Sequence, residues 1–258
     1  MRRALLFDLD ETLMVEEPAA VAAFAATAQH GTEHRSLDPL LLATAAREKA
    51  RELWYAAATH EYCMRVGISS WEGLWCRFEG EDEDTRALRD WSPTYRREAW
   101  RLALSDQGID DIGFAEELAA RFVKERRARH QVFGDAPSVL AGLKGSYRLA
   151  VVTNGAACLQ REKLAAGGLT KYFDVIVVSA DLGAAKPDPA VFQNALDELD
   201  VENQRAVMVG DSLRKDVDGA RAAGLGAVWV NRTGEAAPPD RSDLVEVQTL
   251  RDLPTALG

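Results

Sequence analysis

Cysteine is scarce in this chain. Cys63, Cys76 and Cys158 form an odd, widely spaced set without a C-x-x-C pair. Such a set supports neither a disulfide framework nor a four-ligand zinc site, and a reducing cytoplasm is the expected setting. Long apolar runs are missing as well. No stretch approaches the ~20 apolar residues that cross a bilayer. The apolar run behind the opening "MRR" lasts four residues before Asp8, too short for the core of a secretory signal. Without secretion, the "NRT" match to a glycosylation acceptor at 231–233 carries no weight. Positive charge is in deficit. A formal net charge of −10 over 258 residues argues against a nucleic-acid or membrane surface, because those partners reward clustered Lys and Arg. A small anionic substrate in a local positive pocket stays compatible, and nothing here chooses between monomer and homodimer.

What is present is a change of periodicity along the chain. "LAVVT" (149–153), "VIVVS" (175–179), "AVMVG" (206–210) and "AVWV" (227–230) are short continuous apolar runs, as expected of parallel strands covered on both faces. Helical stretches are expected between them, at about 156–166, 189–199 and 214–223, with Asp188 before Pro189 as a start signal and Gly167 and Gly224 as stops. "ALLFDL" at residues 4–9 reads as a further strand, far in sequence from its sheet partners. The gap, about residues 15–130, is rich in Ala, Arg, Glu and Trp with helical spacing and no convincing strand. Its breaks are expected near 31–39, 65–70 and 91–93, and the acidic run "EGEDED" (79–84) reads as a solvated loop or helix start. The fold class is therefore α/β: a Rossmann-like parallel sheet core formed by residues 1–14 and 131–258, with an all-helical domain of residues 15–130 inserted after the first strand.

"LLFDLDETL" (5–13) then poses a chemical problem. Asp8, Asp10 and Glu11 follow an apolar run, and clustered carboxylates resist desolvation unless a cation or hydrogen-bond donors offset them. In a parallel sheet, ligands gather at the carboxyl ends of strands. Four such ends carry polar groups: Asp8, Asp10 and Thr12 after the first run; Thr153, Asn154 and Gly155 after "LAVVT"; Lys186 in "GAAKPDP"; and Asp211, Ser212 and Asp216 after "AVMVG".

This order of motifs resembles the haloacid dehalogenase-like hydrolases, specifically phosphatases with a helical cap inserted after the first strand. The family's DxDxT is "DLDET", its second motif is Thr153 in "VVTNG", its third is the lysine of "AAKPDP", and its fourth, GDxxxxD, is "GDSLRKD". The resemblance covers the core. For the cap it extends to position and helical character only. It implies Mg2+ held by Asp8, the backbone carbonyl of Asp10 and Asp211, with Asp216 a direct ligand or one step removed, and such a cation would be the missing partner of the acids. Asp8 is then the nucleophile that forms an aspartyl-phosphate. Asp10 protonates the departing alkoxide and later activates water, its affinity for a proton raised by a neighbouring carboxylate and its orientation set by Thr12. Thr153 and the Asn154 amide bind the phosphoryl oxygens, and Lys186 neutralises them and Asp8.

The expected activity is hydrolysis of a small phosphate monoester, with sugar or sugar-like phosphates favoured and nucleoside monophosphates next. A cap that closes over the site would set selectivity, and Arg65, Trp71 and Trp75 around a Gly-containing turn are the candidate selectivity residues. Two other readings compete with this one. Dehalogenases of the same superfamily do not need an acid for a halide leaving group and typically lack the second Asp of DxD, which Asp10 supplies here. A non-catalytic phosphoryl-accepting module is usually about half this length and has no inserted cap.

Overall fold

In the computed structural model, which describes residues 3–239 and 241–258, the run Ala4–Phe7 forms strand β1 with all four side chains buried. Arg2 of the opening basic pair lies outside the described residues. Two short strands follow in sequence, β2 (Met14–Val15) and β3 (Gln131–Val132), which pair antiparallel with each other. Then come β4 (Arg148–Thr153), β5 (Val175–Val178), β6 (Ala206–Gly210), β7 (Gly226–Val230) and β8 (Val245–Val247). All but β2 and β3 form one six-stranded sheet, ordered β5-β4-β1-β6-β7-β8, with every pairing parallel.

The continuous apolar strands are explained by their two covered faces. Ala4 and Leu6 of β1 join Ala150, Val152 and Met208 in one buried cluster, while Leu5 and Phe7 join Leu149, Val151 and Val209 in the other. Each successive side chain thus enters the opposite layer, as a period of two requires. β1 lies at the centre, paired with β4 on one side and β6 on the other. The strand order therefore runs outward from β1 in both directions, and its carboxyl end lies at the topological switch point. β8 was not expected from the sequence. Its "VEV" buries only Val247, so it carries no apolar run.

The chain divides into two compact units. One contains Met1–Val15, Gln131–Gly155 and Gln160–Gly258, and the other Glu16–His130 with Ala156–Leu159. The second is helical: α1 (Glu17–Thr32), α2 (Pro39–Tyr55), α3 (His60–Val66), α4 (Ser70–Gly73), α5 (Glu83–Ser105) and α6 (Ile112–Arg127). The side chains of Asp38, Asp82 and Asp111 accept backbone N–H groups at the starts of α2, α5 and α6. These bonds satisfy donors that a helix start leaves unpaired. "EGEDED" (79–84) thus contains the cap, Asp82, and runs into α5. Phe24, Trp100 and Phe122 fill the interior, with the Phe24 and Phe122 ring centroids 4.4 Å apart.

The break expected at 91–93 does not occur, because Pro93 lies inside α5. A proline there leaves the carbonyl four residues back without its N–H partner. The Ser92 hydroxyl donates to that carbonyl, Arg89 O, at 3.1 Å.

Cys76 and Cys158, far apart in sequence, approach to 3.6 Å between sulfurs as free thiols. Of the three residues singled out in the helical segment, Trp75 is fully buried with the Arg126 guanidinium over its ring, and this burial removes it from the selectivity set. Arg65 is exposed and pairs with Asp84 at 3.4 Å, and Trp71 lines a cleft with Arg47 and Arg51. The first unit adds α7 (Ala136–Leu143), α8 (Ala157–Ala166, whose first residues group with the helical unit), α9 (Ser179–Leu182), α10 (Pro189–Leu199), α11 (Gly219–Ala222) and α12 (Leu253–Leu257). Among the described residues no helix is long and apolar enough to cross a membrane.

Candidate active site

β1 ends at Phe7, and the next residue, Asp8, continues the sheet by one bond, its N–H donating to Val209 O at 2.9 Å. The following residues leave the sheet through a tight turn, in which Leu13 and Met14 donate to Leu9 O and Glu11 takes a left-handed φ of 57°. β6 ends at Gly210, and a Cβ there would lie 2.3 Å from an Asp216 carboxylate oxygen, so only glycine admits this approach. The helix expected at 214–223 begins as a π-helical segment, Leu213–Asp218, before α11. Val217 N–H reaches back to Ser212 O at 3.2 Å, and the Asp216 carboxylate accepts the Ser212 N–H at 2.9 Å. The wider turn brings Asp216 into the core, where it is fully buried.

These two turns meet. Carboxylate oxygens of Asp8, Asp211 and Asp216 lie within 4.8 Å of one another. The Lys186 ammonium, nearly fully buried, lies 2.8 Å from Asp8 Oδ1 and 2.7 Å from Asp216 Oδ1. Thr12 donates to Asp211 Oδ1 at 3.2 Å, so it orients Asp211 and not Asp10 as expected from the sequence. The Trp229 indole N–H donates to Asp211 O at 2.7 Å.

Burial pushes the Asp8 carboxyl well up from its ordinary range. The Lys186 ammonium opposes that shift, and the Asp216 and Asp211 carboxylates add to it. Burial, with Asp216 adding, pushes Asp211 up to about 6. Burial works against the Lys186 ammonium too, but the Asp216 and Asp8 carboxylates overcome it and hold the group above its usual value. Three carboxylates against one ammonium leave a formal excess of two negative charges when all are ionised. A hard divalent cation fits that donor set in charge and in ligand type.

Asp10 stands apart from this cluster in its partners. Lys163, wholly buried on α8, donates to both Asp10 oxygens at 3.1 and 3.0 Å. Gln160 Nε2 lies 3.0 Å from Asp10 Oδ2, 2.8 Å from Thr153 Oγ1 and 2.7 Å from Asn154 O. The neighbour expected at Asp10 was a carboxylate, and the one observed is an ammonium. Gln160 and Lys163 were missed in the sequence. Their three-residue spacing puts them on one face of α8 directly behind "TNG", and that spacing is the signal that was available. Gly155 has a φ of 136° and a Cβ there would lie 3.1 Å from the Gln160 amide, so this glycine also opens room for the bridge.

Asn154 exchanges two hydrogen bonds with Lys186, accepting its N–H at 2.8 Å and donating to its carbonyl at 3.0 Å. That pair fixes the lysine loop against the end of β4. Arg232 donates to Thr12 O at 2.8 Å and pairs with buried Asp135 at 3.0 Å, supporting the first turn from behind. Asn231 of the "NRT" triplet is itself buried, with its amide donating to Glu246 and to Glu235 O. Thus Asp8, Asp10, Thr153, Asn154, Asp211 and Asp216 gather beyond the carboxyl ends of β1, β4 and β6, and Lys186 reaches them from the loop after α9.

A family model described as haloacid dehalogenase-like hydrolase matches residues 2–224. The chain is 34% identical to phosphoserine phosphatase of Thermus thermophilus over 252 residues, covering 97% of each. It is 36% identical to mouse N-acylneuraminate-9-phosphatase over 143 residues, 54% of this chain and 57% of that protein. Among solved structures, 2-haloacid dehalogenase from Pseudomonas syringae superposes with a TM-score of 0.64 at 30% identity, covering 100% of this chain and 98% of that one. The HAD-hydrolase YfnB of Bacillus subtilis, solved bound to magnesium, gives 0.66 at 22% identity, covering 100% and 99%.

Proposed function

This chain belongs to the haloacid dehalogenase-like hydrolases, and on that premise we propose that it is a magnesium-dependent phosphatase that hydrolyses a small phosphate monoester through a phosphoryl group carried on Asp8. The observation that carries this reading is Lys186, a buried ammonium 2.8 Å from Asp8 and 2.7 Å from Asp216, with Asp211 completing an acidic cluster. An anionic nucleophile meets an anionic ester only where both charges are offset. The carboxylates of Asp8 and Asp211 and the backbone carbonyl of Asp10 would hold Mg2+, with Asp216 a direct ligand or one step removed, and the ion would supply the rest of that charge neutralisation.

Asp8 attacks phosphorus, forming the acyl-phosphate bond as the ester oxygen leaves. Asp10, oriented by Lys163 and Gln160, gives that oxygen its proton, then takes one from the water that cleaves the acyl phosphate. The Thr153 hydroxyl and the Asn154 N–H bind the transferring oxygens, and Lys186 neutralises them together with Asp8.

The substrate class is a compact phosphate monoester. Similarity along nearly the whole chain to a phosphoserine phosphatase supports phosphorylated small acids beside the sugar phosphates favoured by the sequence and the nucleoside monophosphates placed next. Likeness to a haloacid dehalogenase supports a second reading, release of halide from a 2-haloacid. Asp10 separates the two, because a halide departs without a proton and an alkoxide does not.

The test is release of inorganic phosphate from phosphoserine, sugar phosphates and nucleoside monophosphates, run beside chloride release from 2-chloropropionate. Phosphate release that EDTA suppresses and Mg2+ restores is expected, with Asp8→Asn slower by at least about a thousandfold and still folded. Chloride release without phosphate release, or near-normal turnover by Asp8→Asn, would overturn the reading.

A further inference from the structure

His30 and His34 are two of the four histidines in the chain, one in the last turn of α1 and the other four residues on. Glu117 of α6 meets both. His30 Nε2 lies 3.0 Å from Glu117 Oε1 and His34 Nε2 lies 3.9 Å from the same atom. The other ring nitrogen of His30, Nδ1, faces Glu33 Oε2 at 3.1 Å. From this arrangement we propose that the helical unit binds a Zn2+ ion through His30 Nε2, His34 Nε2 and the Glu117 carboxylate, with solvent in the remaining position.

Three features carry the assignment. First, hydrogen-bond accounting at His30 does not close for a neutral ring: both nitrogens face carboxylate oxygens, and neutral imidazole has one proton to donate. With Nδ1–H donating to Glu33, a cation between Nε2 and Glu117 supplies the missing attraction. Second, that arrangement reproduces the way metal-bound histidines are oriented, one nitrogen on the ion and the other N–H on a carboxylate, with Glu33 in the outer role. Third, the spacing suits a tetrahedral ion. Ligands at ~2.1 Å from zinc sit about 3.4 Å from one another, and the observed 3.0 and 3.9 Å bracket that value.

Imidazole with one carboxylate is a borderline-soft donor set, unlike the all-oxygen cluster of Asp8, Asp211 and Asp216, so the two sites select different cations. Charge agrees as well. Glu33 and Glu117 bring two negative charges to the C-terminal end of α1, where the helix dipole favours a cation. The nearby Arg35 guanidinium is occupied by Asp111 at 2.9 Å. His34 and Glu117 are about half exposed, so an ion can enter without opening the fold. An ion there would tie the end of α1 to α6.

The experiment is calorimetric titration of the tag-free full chain with zinc chloride in excess Mg2+, which keeps the acidic cluster occupied. One zinc equivalent is expected, retained in Asp211→Asn. His34→Ala and Glu117→Gln should each weaken binding at least about tenfold, and Glu33→Gln about tenfold. The changes at His34, Glu117 and Glu33 lie at the surface and are expected to leave the circular dichroism spectrum and Mg2+-supported turnover unchanged. Cobalt substituted for zinc should give a visible spectrum that His34→Ala abolishes. Zinc binding that persists unchanged in a folded His30→Ala/His34→Ala variant would overturn the site. Absence of binding to the wild type in Mg2+ would also overturn it.

Discussion

A side chain that gives and retrieves a proton has to be held where the leaving oxygen and then the water arrive. For Asp10, the acid and base of the proposed mechanism, that hold would come from Lys163 and Gln160, both on α8 and both fully buried. The arrangement makes Lys163 a positioning residue, and its effect should depend on how much help the leaving group needs. Lys163→Met is expected to lower kcat on an alkyl phosphate by roughly a hundredfold, within the usual range of general acid–base contributions, and to lower it much less on p-nitrophenyl phosphate, whose phenolate departs without a proton. Equal losses on both substrates would show that the lysine supports only the fold. The motif acids, Thr153, Asn154 and Lys186 were legible because each ends an apolar run or a Gly/Pro-rich turn. Lys163 and Gln160 were not, because a long polar side chain on a helix reads as solvated until the fold shows what it covers. Thr12 was legible as a site-turn residue but was assigned to the wrong carboxylate, since five acids crowd the two turns and spacing alone does not choose among them.

At the scale of elements, apolar runs located β1, β4, β5, β6 and β7, while β8 stayed hidden because an edge strand with one buried residue carries no pattern. Breakers misled at Pro93. The physical reason lies one residue earlier, where the Ser92 hydroxyl occupies the carbonyl that proline leaves free. This substitution of one donor for another is testable by a double-mutant cycle. Ser92→Ala should cost about 1 kcal/mol of stability, the value of a hydrogen bond left unmade at a buried position. In a Pro93→Ala background the restored backbone N–H takes the same carbonyl, and Ser92→Ala should then cost close to nothing. Denaturant unfolding of the four proteins measures the coupling. Equal costs in the two backgrounds would mean that Ser92 contributes by packing alone.

For the whole molecule, the sheet order brings Asp8 beside Asp211 although 203 positions separate them in the chain. This gathering of buried acid at the centre of the fold has a consequence for stability. Asp211 rises from 3.8 to about 6 on folding and Asp8 rises well above its usual range, so the folded state holds protons more tightly than the unfolded chain. The stability that Asp211 contributes is complete below pH ~4 and lost as pH climbs through about 6, and Asp8 acts in the same direction. For Asp211 this loss is about 3 kcal/mol at most. A divalent cation held by the ionised carboxylates, as proposed, would act in the opposite direction. It should therefore stabilise little where they are protonated and strongly where they are charged. Chelator-treated protein melted with and without Mg2+ should show a clearly larger rise in Tm at about pH 7.5 than at about pH 5, and Asp211→Asn should flatten that difference. A rise in Tm that is the same at both pH values, or greater in acid, would mean that Mg2+ acts elsewhere on the chain. The acidic cluster would then lie idle as a metal site, and Lys186 alone would have to balance it.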